Sequence, residues 1–170
     1  MKNIIIEGFN IGLSKNITGI QRYAREIIYR IDTLLESSDF KVYYLYNPNY
    51  PNVVINPLNL KNIIPIPLKK KKHFPLINKF IDHLKIAKKY NAIICSLALD
   101  TLINKNQISC IHDMRPIYFK SDSFKFRFQY KIYLWIQKHF TKVILTVSEF
   151  SKKQIRSEEH TSELQSRETI

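Results

Sequence analysis

The chain has 170 residues, 45% of them hydrophobic, with 27 Lys and Arg against 14 Asp and Glu for a formal net charge of +13. That length supports one domain with a real core, and the charge favours anionic partners such as nucleic acid, an anionic membrane surface or phosphorylated metabolites. The abundance of Ile, Lys and Asn is equally what AT-rich codon usage produces. No segment approaches the roughly eighteen continuous apolar residues of a membrane span, and Met1 to Glu7 is too short an apolar stretch for a signal peptide, so the chain reads as cytoplasmic.

Taken in order, Asn3 to Gly8 is expected to form a first strand. After a loop containing Asn, Gly and Ser, Thr18-Gly19-Ile20-Gln21 has the capping-box spacing of a helix start. Ile20, Ala24, Ile27, Ile28, Ile31, Leu34 and Leu35 then fall at three- and four-residue intervals between charges, which predicts an amphipathic helix. Phe40 to Tyr46 reads as a second strand, and a Pro- and Asn-rich stretch follows with a short strand near Asn62 to Ile66. Lys69 to Lys72 precede a helix expected from Leu76 to Tyr90, and Ala92 to Leu97 and Gln107 to Ile111 supply two buried strands.

Phe124 to Ile132 is ambiguous. Its aromatic and charged residues alternate as in a strand, yet the run continues through Lys138 without Gly or Pro, and that length argues for a helix. Val143 to Val147 is short, apolar and β-branched, a strand of buried type, and Ser148 is placed to cap a following helix with Glu149 at its positive end. Strands alternating with helices imply an α/β protein with a parallel, doubly wound sheet and right-handed crossovers. Cys95 and Cys110 both fall inside strands, with no CxxC and no nearby His cluster, which points to reduced core thiols rather than a disulfide or a metal site.

Two of these strands end in residues able to do chemistry, and ligands of such folds bind at the carboxyl edge of the sheet. Gln107 to Ile111 ends in His112-Asp113, where the carboxylate can fix a tautomer of the imidazole for contact with a sugar hydroxyl or phosphate, although a buried structural His is the plainer alternative. Val143 to Val147 runs into Ser148-Glu149. Thr18 and Gly19 can offer helix amides to a phosphate, or simply cap the helix. Neither G-x-G-x-x-G nor G-x-x-x-x-G-K-[ST] is present, which argues against a dehydrogenase or an ATPase. Arg22 and Arg115 are candidate anion contacts or ordinary surface residues. Lys69, Lys70, Lys71 and Lys72, followed by apolar residues, suit either a solvated loop or a peripheral contact with anionic lipid. Ser148 and Ser151 have no base nearby in sequence and no G-x-S-x-G elbow, so a serine hydrolase has little support.

At the carboxyl end, residues 156–166 resemble the conceptual translation of a sequencing adapter, so 156–170 is expected to be a non-native tail and 1–155 the domain. Without that tail the charge rises from +13 to +15, because two basic and four acidic residues leave with it.

Ile-Glu-Gly at 6 to 8, Thr-Gly-Ile-Gln-Arg-Tyr-Ala-Arg-Glu-Ile at 18 to 27, Ile-His-Asp at 111 to 113 and Leu-Thr-Val-Ser-Glu-Phe-Ser-Lys at 145 to 152 together resemble a family 4 glycosyltransferase. The resemblance implies the Rossmann-like amino-terminal, acceptor-side half of a GT-B architecture. The activity it implies is transfer of a sugar from a nucleotide-sugar donor to a saccharide or lipid-linked acceptor, with retention, as in polysaccharide biosynthesis. No metal and no cofactor beyond the donor are implied, and no nucleic acid. It places His112 as the catalytic histidine near the donor sugar, and Thr18 and Gly19 at the donor phosphates. Asp113, Arg115, Arg22, Ser148 and Glu149 are assigned to the cleft, and Glu7 stands where Asp is commoner. The second domain of that family, with its Glu-x7-Glu element, has no counterpart in these residues, so a fragment inactive on its own is expected. Membrane contact through Lys69 to Lys72 would place it peripherally on the inner face. The alternative reading is a basic nucleic-acid-binding α/β domain, with Phe124, Phe126 and Phe128 interleaved with Lys125 and Arg127 as a stacking platform.

Overall fold

The computed structural model describes residues 2–8, 11, 18–48, 55, 59–68, 75–97, 104–112, 114–118, 123–153 and 155–156, with only the backbone described at 75–79, 115 and 116. Among them six strands form one sheet: β1 (Lys2–Glu7), β2 (Phe40–Tyr46), β3 (Ile64–Pro67), β4 (Ala92–Ser96), β5 (Gln107–Ile111) and β6 (Val143–Thr146). The spatial order is β3-β2-β1-β4-β5-β6 and every pairing is parallel. Four helices accompany them: α1 (Gly19–Leu34), α2 (Pro75–Tyr90), a short α3 (Arg115–Tyr118) and α4 (Phe124–Phe140). This is the expected α/β, Rossmann-like arrangement, and the order of the strands reverses between β1 and β4.

The alternation of side chains along each strand splits the core in two. Ile6, Val42 and Tyr44 face Ala24 and Ile28 of α1, while Ile5, Tyr43, Leu45 and Ile94 face Ala87 of α2 on the other side. Fully burying an Ile of this kind contributes about 2 kcal/mol, and Ile5, Ile6, Ile28 and Ile94 are all completely enclosed. Parallel strands covered on both faces read as continuous apolar runs, which is why Ile4-Ile5-Ile6 shows no polar alternation.

Thr18 caps α1 as its spacing predicts: its Oγ1 accepts from the Gln21 amide at 3.3 Å, and its own amide donates to the Gln21 side chain at 2.9 Å. The ambiguous aromatic run is helix α4. Ser123 Oγ accepts from the Phe126 amide at 3.3 Å, and seventeen residues without Gly or Pro continue from that cap to bridge the parallel neighbours β5 and β6. One expectation fails at β6. The strand forms where its β-branched residues put it, but Val143 and Leu145 are 42% and 40% exposed instead of buried. Paired with Ile108 and Cys110, they lie on the sheet face that α1 covers further along, and no described element covers that face at β6. Among the described residues no helix is long and apolar enough to cross a membrane.

Candidate functional site

The carboxyl edge of the sheet gathers residues from four separated stretches. β5 ends at Ile111, which leaves His112 half-buried just beyond the strand. Its Nε2 lies 2.8 Å from the carbonyl oxygen of Leu97, the residue after β4. A carbonyl only accepts, so Nε2 carries the proton and donates it, and in the neutral ring Nδ1 is then the acceptor. Nδ1 makes no hydrogen bond to a described residue. Tyr23, in the second turn of α1, sets its ring edge-on to the imidazole with centroids 5.0 Å apart and planes at 88°. The orientation of His112 is thus fixed by β4 on one side and α1 on the other, at the point where the strand order reverses.

Beyond β6, Ser148 caps the helical turn that starts at 149, its Oγ accepting from the Ser151 amide at 3.1 Å as expected. Ser148 Oγ also donates to Ser151 Oγ at 3.1 Å, and the nearly enclosed Ser151 hydroxyl donates to the His112 carbonyl at 3.5 Å. This short relay ties the junction after β6 to the residue after β5. Glu149 instead faces solvent, paired with Lys152 at 3.1 Å.

Thr18 and Gly19 begin the same helix that carries Tyr23, so Gly19 sits about 6 Å further along the axis at 1.5 Å per residue. The space beside the Gly19 Cα is open: an added Cβ would meet nothing within 4 Å. The Gln21 and Arg22 amides are taken up by Thr18, whereas those of Gly19 and Ile20 bond to no described residue and stand at the positive end of the helix. Arg22 is exposed on this first turn. Arg115 opens α3, with its backbone alone described. Asp113 and Lys69 to Lys72 lie outside the described residues, as does 157–170.

Behind the edge the environment turns apolar. Tyr23 shares a hydrogen bond with Cys110. Burial raises the Tyr23 hydroxyl above its ordinary value, with Cys110 adding to the effect. Burial likewise raises the Cys110 thiol, the Tyr23 hydrogen bond working the other way. Burial pushes Cys95 up to about 11, helped by Cys110. Both thiols are free and stay protonated at neutral pH, so neither is a nucleophile here.

Glu7, which stands where Asp is commoner in the resembled family, is interior. It ends β1 fully enclosed, and His83 Nε2, also fully enclosed on α2, donates to its Oε1 at 3.2 Å. The next residue, Gly8, has to be a glycine, because a Cβ there would run into the Tyr44 ring. An apolar cavity of about 470 Å³ lies beneath α4, lined by Ile111, Met114, Leu134, Trp135 and Ile144. Ile111 and Ile144 belong to the opposite sheet face from Cys110 and Tyr23, so this cavity is separate from the His112 edge.

Sequence reasoning singled out His112, Thr18, Gly19 and Ser148, and weighed Ser151 only as a nucleophile. It did not single out Tyr23 or the Leu97 carbonyl. Tyr23 was within reach, since it departs from the apolar stripe of α1 one turn after the cap. The carbonyl was not, because backbone acceptors leave no mark in a sequence.

The fold is that of a Rossmann-like α/β domain, and His112, Leu97 and Tyr23 meet at the carboxyl edge of its sheet. No protein-family model matches the chain, and no curated protein matches it.

Proposed function

We propose that the chain is the acceptor-side half of a retaining GT-B glycosyltransferase, which in complete form moves a sugar from a nucleotide donor to a saccharide or lipid-linked acceptor. The observation that carries this reading is the tautomer of His112: with Nε2–H committed to the Leu97 carbonyl, Nδ1 presents a lone pair able to accept a bond from a sugar hydroxyl. The Gly19 and Ile20 amides and the positive end of α1 supply donors for a diphosphate, whose charge grows as it departs. Tyr23 acts as a positioning group against the edge of the imidazole, and the Ser151 relay holds the backbone of His112.

Half a clamp does not turn over substrate. Preorganised donors are each worth about a hundredfold or more in rate, and those of the opposing domain are not among these residues. Residues 1–155 are therefore expected to bind nucleotide sugar weakly and to transfer nothing. Titration of the isotope-labelled chain with uridine and guanosine diphosphate sugars, followed by NMR, tests this. The His112 ring and the Gly19 amide are expected to shift saturably, and the shift is expected to vanish in His112→Ala. A titration that leaves both signals in place sinks the sugar-binding reading, and turnover by residues 1–155 sinks the half-site.

The nucleic-acid reading has one observation in its favour, the exposure of Phe124, Phe126 and Phe128. Helical geometry counts against it, because alternate residues of a helix lie about 200° apart and Phe126 leaves the other two, so the three rings cannot form one platform.

A further inference from the structure

Helix α4 is built inside out. Its buried stripe is Tyr130, Tyr133 and Gln137, while Phe124, Phe128, Ile132 and Trp135 recur at four-, four- and three-residue spacing about half a turn away. Those four side chains are 81%, 56%, 44% and 57% exposed. An ordinary surface helix puts its polar side outward. An outward ridge of this kind marks a docking face.

The flanks of the ridge say what docks there. Lys125, Lys131 and Lys138 are all exposed on α4, Arg127 is part-exposed, and the helix contains no acidic residue. A second copy of the chain is disfavoured, since each copy carries +13 and would bring four more cations to the same contact. Nucleic acid fits the charge but not the ridge: Phe124 and Phe128 stack on each other at 6.4 Å, and Ile132 offers no face to a base. Aromatic rings and an aliphatic side chain projecting between lysines are the composition of a helix lying in the headgroup region of an anionic bilayer, with its rings at the acyl boundary and its ammonium groups among the phosphates.

We propose that α4 docks the protein on an anionic lipid surface, through Phe124, Phe128, Ile132 and Trp135 with Lys125, Lys131 and Lys138 as the electrostatic flank. This face is separate from the Lys69–Lys72 segment, and it does not rest on the sugar-transfer reading.

Trp135 is the only tryptophan in the chain and also borders the apolar cavity beneath α4. Its fluorescence therefore reports on this ridge and on the rim of that cavity, and quenching from within the bilayer is what assigns a change to the ridge. The full chain is titrated with vesicles of equal parts phosphatidylcholine and phosphatidylglycerol, and with pure phosphatidylcholine. Anionic vesicles are expected to move Trp135 emission to the blue, brominated acyl chains to quench it, and salt to reverse the binding. The double variant Phe124→Ser, Phe128→Ser keeps the reporter and is expected to bind at least roughly tenfold more weakly. Neutralising the three lysines to Gln is expected to cost about fivefold each. Absence of a blue shift with anionic vesicles at low salt overturns the proposal. So does a shift seen with single-stranded DNA but not with vesicles, or one that depends on protein concentration without lipid. Quenching by brominated lipid is read on the unmodified chain, so the outcome stands even where a variant fails to fold.

Discussion

Cys110 and His112 stand two residues apart in the chain, and the difference between their surroundings is the chemistry of this edge. Cys110 is fully enclosed against Tyr23, whereas His112 keeps one ring nitrogen clear of the described residues. The thiols give this a consequence in pH. Burial lifts Cys95 from 9.0 to about 11 and lifts Cys110 in the same direction. In the unfolded chain both thiols ionise near their ordinary value, while the folded chain still holds the Cys95 proton, so the folded state binds more protons over that interval. Stability is therefore complete below pH 9.0 and falls as pH rises towards about 11. Urea midpoints measured across that range are expected to decline, with a shallower decline in Cys95→Ala. A flat or rising profile contradicts the burial of these thiols.

Helix α1 serves both the site and the scaffold, and its two ends do so by different means. Its cap and first two turns present Thr18, Gly19 and Tyr23 to the carboxyl edge. Its last turn carries Asp32, 6% exposed, whose carboxylate accepts from the amides of Lys61, Asn62 and Ile63 at 2.9, 2.8 and 2.8 Å. Asn62 returns a bond from its side chain to the Asp32 carbonyl at 2.7 Å. This clamp fixes the approach to β3, and Ile63 with it enters the core. Asp32→Ala strips the acceptor from three amides at once and is expected to cost about 3 kcal/mol, read from chemical denaturation. Asp32→Asn, which keeps a single acceptor oxygen, is expected to fall between. A loss below about 0.5 kcal/mol in the alanine variant, the range of a neutral surface change, would show the clamp to be solvated. The cap at Thr18 was legible in the sequence because a capping box is local, three residues closing on themselves. The clamp at Asp32 was not, since its partners lie some thirty positions away and use backbone amides.

The molecule as a whole is covered unevenly, and that is where the sequence misled. The composition of Val143 to Val147 is that of a buried strand, and it does pair with β5 in the expected parallel register. Strand formation follows from β-branched residues themselves, whereas burial depends on what other elements lie across the face. On the face shared with α1, Val143 and Leu145 remain exposed at the β6 end of the sheet, and Val147 and Phe150 just beyond the strand are exposed as well. β6 is also the outer strand of the described sheet, so a bare apolar face adjoins an unpaired edge, the combination that invites strand-to-strand association. Placing carboxylates there, as Val143→Glu with Leu145→Glu, adds charge to side chains already in contact with water and removes nothing from the enclosed core. The double variant is expected to aggregate less on heating and at high concentration. Its thermal midpoint is expected to move by less than about 4 °C, the size of shift that about 1 kcal/mol produces at this chain length. Light scattering and circular dichroism on the same samples separate the two effects. If the variant unfolds outright, or scatters as the parent does, that face is covered in solution and the open edge described here is not the state of the free chain.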